Sequence, residues 1–217
     1  MFPLLLINYI ECSALLVSIL AYPRLLGSSL RWFPLFLLFI VLVDFTGRYI
    51  QVVLRAENAW LFNISSTLEF VFYAFIFETA FLDKGYKQIV QWFINFYPVL
   101  VLFNLVFIQG FTHFHSYTMM MGSVFMIAFS CLFFYELWMN PREGDLARDP
   151  MFWIGTGILF FNLGGLIYSL LLNFPYKYVY NTCSNLFQTI INILNLVLYS
   201  CFIIAFLCKR DRRKSLK

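Results

Sequence analysis

Asp44 and Arg48 stand four residues apart inside the apolar stretch VLVDFTGRYI, residues 41 to 50. On a helix that spacing puts both on one face, where acid and guanidinium can pair. Two more carboxyls sit in similar surroundings: Glu11 in the apolar run that reaches Tyr22, and Glu69 nine residues after Trp60. An ionised group at the centre of a membrane helix costs about 2.5 to 3.5 kcal/mol. Three such acids with one Arg carry a net charge of −2 if all ionise. A proton, a cation, a ligand amine or water must then compensate. The chemistry this pattern suggests is proton or ligand binding in a buried polar layer.

Amides recur beside the acids. Asn181, Asn185, Gln188, Asn192, Asn195 and Tyr199 follow one another at steps of three or four, which is one face of a helix. Asn162 adds a polar group to the preceding apolar run. Lipid offers no hydrogen-bond partners, so such stripes face the interior of a bundle or a wet cavity. The expected binding set is Glu11, Asp44, Arg48, Glu69, Asn162, Gln188 and Asn192, with the last three amides orienting a ligand. The alternative reading is that these groups only hold helices together, at about 0.6 kcal/mol per interhelical hydrogen bond.

The elements that must position these groups follow from composition. The chain is 62% hydrophobic and 12% charged, against roughly 25% charged in soluble proteins. A soluble fold could not hide this much apolar surface, so the solvent for most of it is the lipid bilayer. Apolar runs of the length that crosses ~30 Å of hydrocarbon fall at 4–22, 33–53, 60–82, 89–109, 116–139, 151–172 and 182–207. The N-terminal run lacks a basic leader and is interrupted by Glu11, so it is expected to be a retained helix and not a cleaved signal. The fold expected is all-α, an integral membrane bundle of seven transmembrane helices over residues 1–208 with a basic cytoplasmic tail at 209–217.

Twelve of the fifteen basic residues fall in alternate loops and the tail, two in the intervening loops, and Arg48 within a span. With seven spans, that bias predicts an N-terminus outside and a C-terminus in the cytoplasm, in an inner, cytoplasmic membrane. The basic tail suits anionic headgroups, and no basic, base-reading face suggests nucleic acid.

Other chemistries find little support. No His lies within a predicted span, and HExxH and serine-nucleophile patterns are absent, which argues against an intramembrane hydrolase or haem protein. All six Lys lie in loops or the tail, so a retinal Schiff base has no anchor. Acid-only chemistry by Glu11, Asp44 and Glu69 remains open, although a non-enzymatic protein without metal or cofactor is expected. His115 and Met119, four apart, form only a weak soft-metal pattern. Glu78 and Glu136 lie near helix ends, where side chains can reach headgroups. Gly155, Gly157, Gly164 and Gly165 are expected to permit close helix packing.

A transporter of three-plus-one-plus-three type is the main competitor. Its support is a shared polar-x-x-Gly pattern, Asp44 to Gly47 and Asn162 to Gly165. The prolines argue against it, since only Pro98 lies well inside a span.

The segments FWIGTGILFFNLGGLIYSL (152–170) and INILNLVLYSCFIIAFLC (191–208) resemble the last two helices of small bacterial heptahelical membrane proteins encoded beside sensor histidine kinases. The plan is also similar to heptahelical modules fused to such kinases. The resemblance implies signalling through a separate partner, a histidine kinase or another membrane or cytoplasmic protein. Together with the buried acids it gives the expected function, a sensor or accessory signalling subunit in which a small ligand or protonation of the cluster shifts helix packing. A purely structural membrane subunit is the third expectation.

Overall fold

The computed structural model describes residues 6–141, 145–172 and 177–208, and the side chains of that range apart from 6 and 168–188. The helices are α1 (Leu6–Leu20), α2 (Tyr22–Leu25), α3 (Phe33–Tyr49), α4 (Ala59–Ala80), α5 (Lys84–Phe107), α6 (Ser116–Met139), α7 (Pro150–Leu172) and α8 (Lys177–Leu207). A 3-10 turn, Ser29–Trp32, leads into α3, and a π-helical stretch, Ile50–Leu54, closes it. No strand occurs among the described residues. This is the architecture hydrocarbon permits, because a helix satisfies its own backbone polar groups.

The expected seven crossings are not found. Among the described residues six helices are long and apolar enough to span a membrane: Ser29–Leu54, Ala59–Ala80, Lys84–Phe107, Ser116–Met139, Pro150–Ile167 and Thr189–Leu207. The first expected span is the exception. Within the described residues its helix, α1, runs 15 residues, about 22 Å at 1.5 Å per residue, short of ~30 Å of hydrocarbon. It stops before Ala21, and the separate turn Tyr22–Leu25 with Pro23 at its start follows. The six crossings among the described residues are an even number, so they leave Ser29 and Leu207 on the same side, and the expected orientation falls with the seventh span. The loop alternation itself survives. Arg24 before the first crossing and Arg31 in its first turn, Lys84 and Lys87 in the first turn of the third, and Arg148 after the fourth share one side, called here the basic side. The tail from residue 209 lies outside the described residues.

Helix neighbours are α7 with α8, α6 with α7, α4 with α5, and α1 with α8 and α3. The core is aromatic. Phe33, fully buried at the start of α3, meets the rings of Phe72 (5.1 Å), Phe202 (5.2 Å) and Phe206 (5.3 Å) edge to face, joining α3, α4 and α8. Such pairs add about 0.5 to 1.5 kcal/mol beyond area. Gly157 lets α8 approach closely, since a Cβ there would stand 3.0 Å from Cys201 Cβ, and Gly164 faces Leu194 in the same way. Gly165 borders open space and contributes no such contact.

Two buried polar knots close the ends of the α4–α5–α6 group. On the side away from the basic loops, His115 at the start of α6 is fully buried. Its Nδ1 shares a 2.6 Å hydrogen bond with Thr118 Oγ1 and its Nε2 a 2.9 Å bond with Ser66 Oγ. Asn63 donates to the His113 carbonyl (2.9 Å) and accepts from the His115 N–H (3.1 Å), so its side chain is buried and engaged. The Tyr97 hydroxyl brings in α5 by donating to the Thr118 carbonyl, 3.1 Å. Both ring nitrogens are thus engaged in hydrogen bonds within the bundle.

Burial holds His115 at a pKa of about 4, well below the ordinary 6.5. The unfolded chain therefore binds more protons than the folded one between those values, and stability falls as pH drops through that window. By linkage the loss is about 2 kcal/mol at pH 5 relative to pH 7.5. Thermal unfolding in detergent is expected to show this acid limb in the wild type and to lose it in His115→Gln. An unchanged limb would remove the histidine as its source.

On the basic side, Glu136 of α6 is 5% exposed and does not reach for headgroups as expected. Its carboxylate accepts from the backbone N–H of Leu82 (2.9 Å) and Asp83 (2.7 Å) in the α4–α5 turn. Asp83 in turn caps α5, accepting from Gly85 and Tyr86 N–H.

Candidate functional site

The polar layer assembles where α1, α3, α4 and α8 meet. α1 turns one face inward: Asn8, Glu11, Ala14 and Ser18 are all buried, the three-and-four spacing of a helix stripe. Glu11 is 3% exposed. Its carboxyl lies within side-chain hydrogen-bonding reach of Asp44 on α3 and accepts from the Tyr199 hydroxyl on α8. Glu69 on α4 faces the same group, close enough for its charge to act on Glu11 and Asp44. The Tyr73 hydroxyl, one turn on, donates to Glu69 Oε1 at 2.8 Å. Arg48 acts on Asp44 through its positive charge, as the four-residue spacing predicts.

Two acceptors here lack donors. Glu11 Oε2 and Asn8 Oδ1 are buried without a hydrogen-bond partner. Buried polar groups are nearly always paired, and an unmet acceptor costs about 1 to 3 kcal/mol. Two carboxyls in reach of each other are both acceptors until one carries a proton, which then makes the bond. The arrangement can take up a proton or accept a donor ligand.

The structure thus brings together Glu11, Asp44, Arg48 and Glu69. Asn162 is buried at 1% exposure, but its side-chain amide donates to Ile158 O of its own helix, 2.8 Å away. Asn192 is half-buried on α8, seven residues from Tyr199, so ~10 Å along the axis at 1.5 Å per residue. The Gln188 side chain lies outside the described residues, as do those of Asn181 and Asn185. Tyr73 and Tyr199 join the cluster although they are absent from the expected set. Their signals were present: Tyr73 is four residues after Glu69, and Tyr199 continues the α8 stripe. Among the described residues no group of three His, Cys, Asp or Glu is placed to hold a metal ion.

These features define a multi-pass, all-helical membrane protein in which a buried Glu11 meets the half-buried Asp44 and Glu69 between helices. In comparisons with protein-family models, curated proteins and solved structures, the chain matches none.

Proposed function

We propose that this chain is a non-enzymatic sensor or accessory signalling subunit of the cytoplasmic membrane, responding to protonation or to a small hydrogen-bond-donating ligand at the Glu11–Asp44–Glu69 cluster. The observation that carries this reading is the contact of the Glu11 and Asp44 carboxyls between α1 and α3. With a shared proton the contact ties the two helices together; with both groups ionised it pushes them apart. Since Tyr199 joins α8 and Glu69 joins α4 to the same group, a change of protonation shifts packing across four helices at once. A signal of this kind works only through its differential affinity for two packings.

The resemblance of 152–170 and 191–208 to helices of proteins encoded beside sensor histidine kinases supports the partner class, a membrane kinase read through the basic loops. The test is thermal unfolding in detergent from pH 5 to 9 of Glu11→Gln, Asp44→Asn and Glu69→Gln, each in the His115→Gln background. That background removes the limb due to the histidine. At least one neutral substitution is expected to flatten the remaining pH dependence. Four coincident profiles, including that of the parent, would leave the cluster a structural tie. The kinase reading is tested by co-reconstitution, where replacing Arg48 should change autophosphorylation.

A further inference from the structure

Between α3 and α5, α4 is left uncovered on its outer face. The result is a groove of about 1070 Å³ that opens sideways into the membrane. Leu35 and Phe39 form one wall, Leu68, Phe72 and Phe75 the floor, and Ile94 and Asn95 the other wall. Glu78 and Gln91 also line it, but they satisfy each other: Gln91 Nε2 donates to Glu78 Oε1 at 2.9 Å.

Asn95 is different. It stands eleven residues into α5, ~16 Å from the start of the helix and so near the middle of ~30 Å of hydrocarbon. Its side chain is exposed, and among the described residues no hydrogen bond reaches it. Beside it is a second acceptor in need. Pro98 has no N–H to donate, so the Ile94 carbonyl loses its usual helical donor. Acyl chains can fill the groove, but they satisfy neither group. The occupant must bring hydrogen-bonding groups to mid-membrane, which a protein helix can do.

We propose that this groove is the seat of a second copy of this chain, joined about a two-fold axis along the membrane normal with Asn95 of each copy hydrogen-bonded to the other. Such an axis keeps α5 of both copies parallel and puts the same residue at the same depth in each. A lone outward amide is then met by itself, because the Asn side chain carries both donor and acceptor. The ridge that enters the groove is the exposed face of α5 itself, with the stacked pair Trp92 and Phe96 (5.0 Å apart, 9° between planes) alongside Asn95. A two-fold interface needs one self-complementary patch, and this ridge beside its own groove provides it.

The test is subunit counting by single-molecule photobleaching of singly labelled protein in liposomes over a range of protein-to-lipid ratios. Wild type is expected to dimerise as the ratio rises. Asn95→Leu keeps the branched shape, removes both cross-axis hydrogen bonds and is expected to weaken dimerisation about tenfold. Asn95→Gln keeps the amide and should stay near wild type. Val71→Trp, which fills the groove from its floor, should remove the dimer even if the Asn95 variants prove hard to fold. A wild type that stays monomeric at every dilution gives the groove to lipid or to a different protein and overturns the proposal. So does a dimer indifferent to Asn95→Leu or to Val71→Trp.

Discussion

Phe33→Ala is expected to destabilise the protein by about 3 kcal/mol, read as a shift of the thermal or SDS-induced unfolding transition in detergent. Phe→Ala in soluble cores costs about 3 to 5 kcal/mol, part transfer and part cavity. Between lipid-embedded helices the transfer part fades, because acyl chains are as apolar as the core, and the loss of packing remains. At Phe33 that packing is concentrated. Its ring touches Phe72 of α4 and Phe202 and Phe206 of α8 at centroid distances of 5.1 to 5.3 Å, and it is fully buried. Removing it takes one edge-to-face neighbour from each of three rings. Phe33→Leu refills much of the volume and should recover more than half of the loss. A cost below about 1 kcal/mol for Phe33→Ala would mean that the three helices close up around the gap.

Glu136→Ala is expected to cost about 3 kcal/mol, and Glu136→Gln about half as much. The carboxylate holds the two backbone donors of the α4–α5 turn at 2.7 to 2.9 Å. Hydrogen bonds to a charged group contribute about 1.5 to 3 kcal/mol each, and an abandoned buried donor costs about 1 to 3. Glutamine keeps one acceptor but turns its NH₂ toward an N–H. The same unfolding assay checks both variants. Equal stability of Glu136→Gln and Glu136→Ala would show that the charge, and not the acceptor geometry, carries the effect.

The bundle and most of its helices were legible because hydropathy over about twenty residues is a strong signal and lipid allows few architectures. The miss at α1 has a local cause. A run from 4 to 22 counts as apolar on average, yet among the described residues the helix stops at Leu20, where the separate turn at Tyr22–Leu25 with Pro23 follows. Of the candidate site, the acids and Arg48 could be read from depth alone, since groups at equal depth in adjacent helices meet. Asn162 could not, because the sequence does not show which carbonyl an amide takes, and it takes one of its own helix. Glu136 misled for a related reason: proximity to a helix end suggests headgroups, whereas the turn it caps is set by tertiary contact. His115 looked like a weak ligand pattern, and its role in binding Ser66 and Thr118 depends on residues 49 positions away as well as 3.

The two polar knots divide the molecule mechanically. Helices α4, α5 and α6 are fastened at one end through His115 and at the other through Glu136, which leaves them little freedom to tilt or slide past one another. α1 has no comparable fastening among the described residues beyond its carboxyl and its packing on α3 and α8. Amide protons of α4–α6 should therefore exchange slowly and as one block, and those of α1 sooner. A molecule built this way has a stator and a lever, with Glu11 near the middle of the lever.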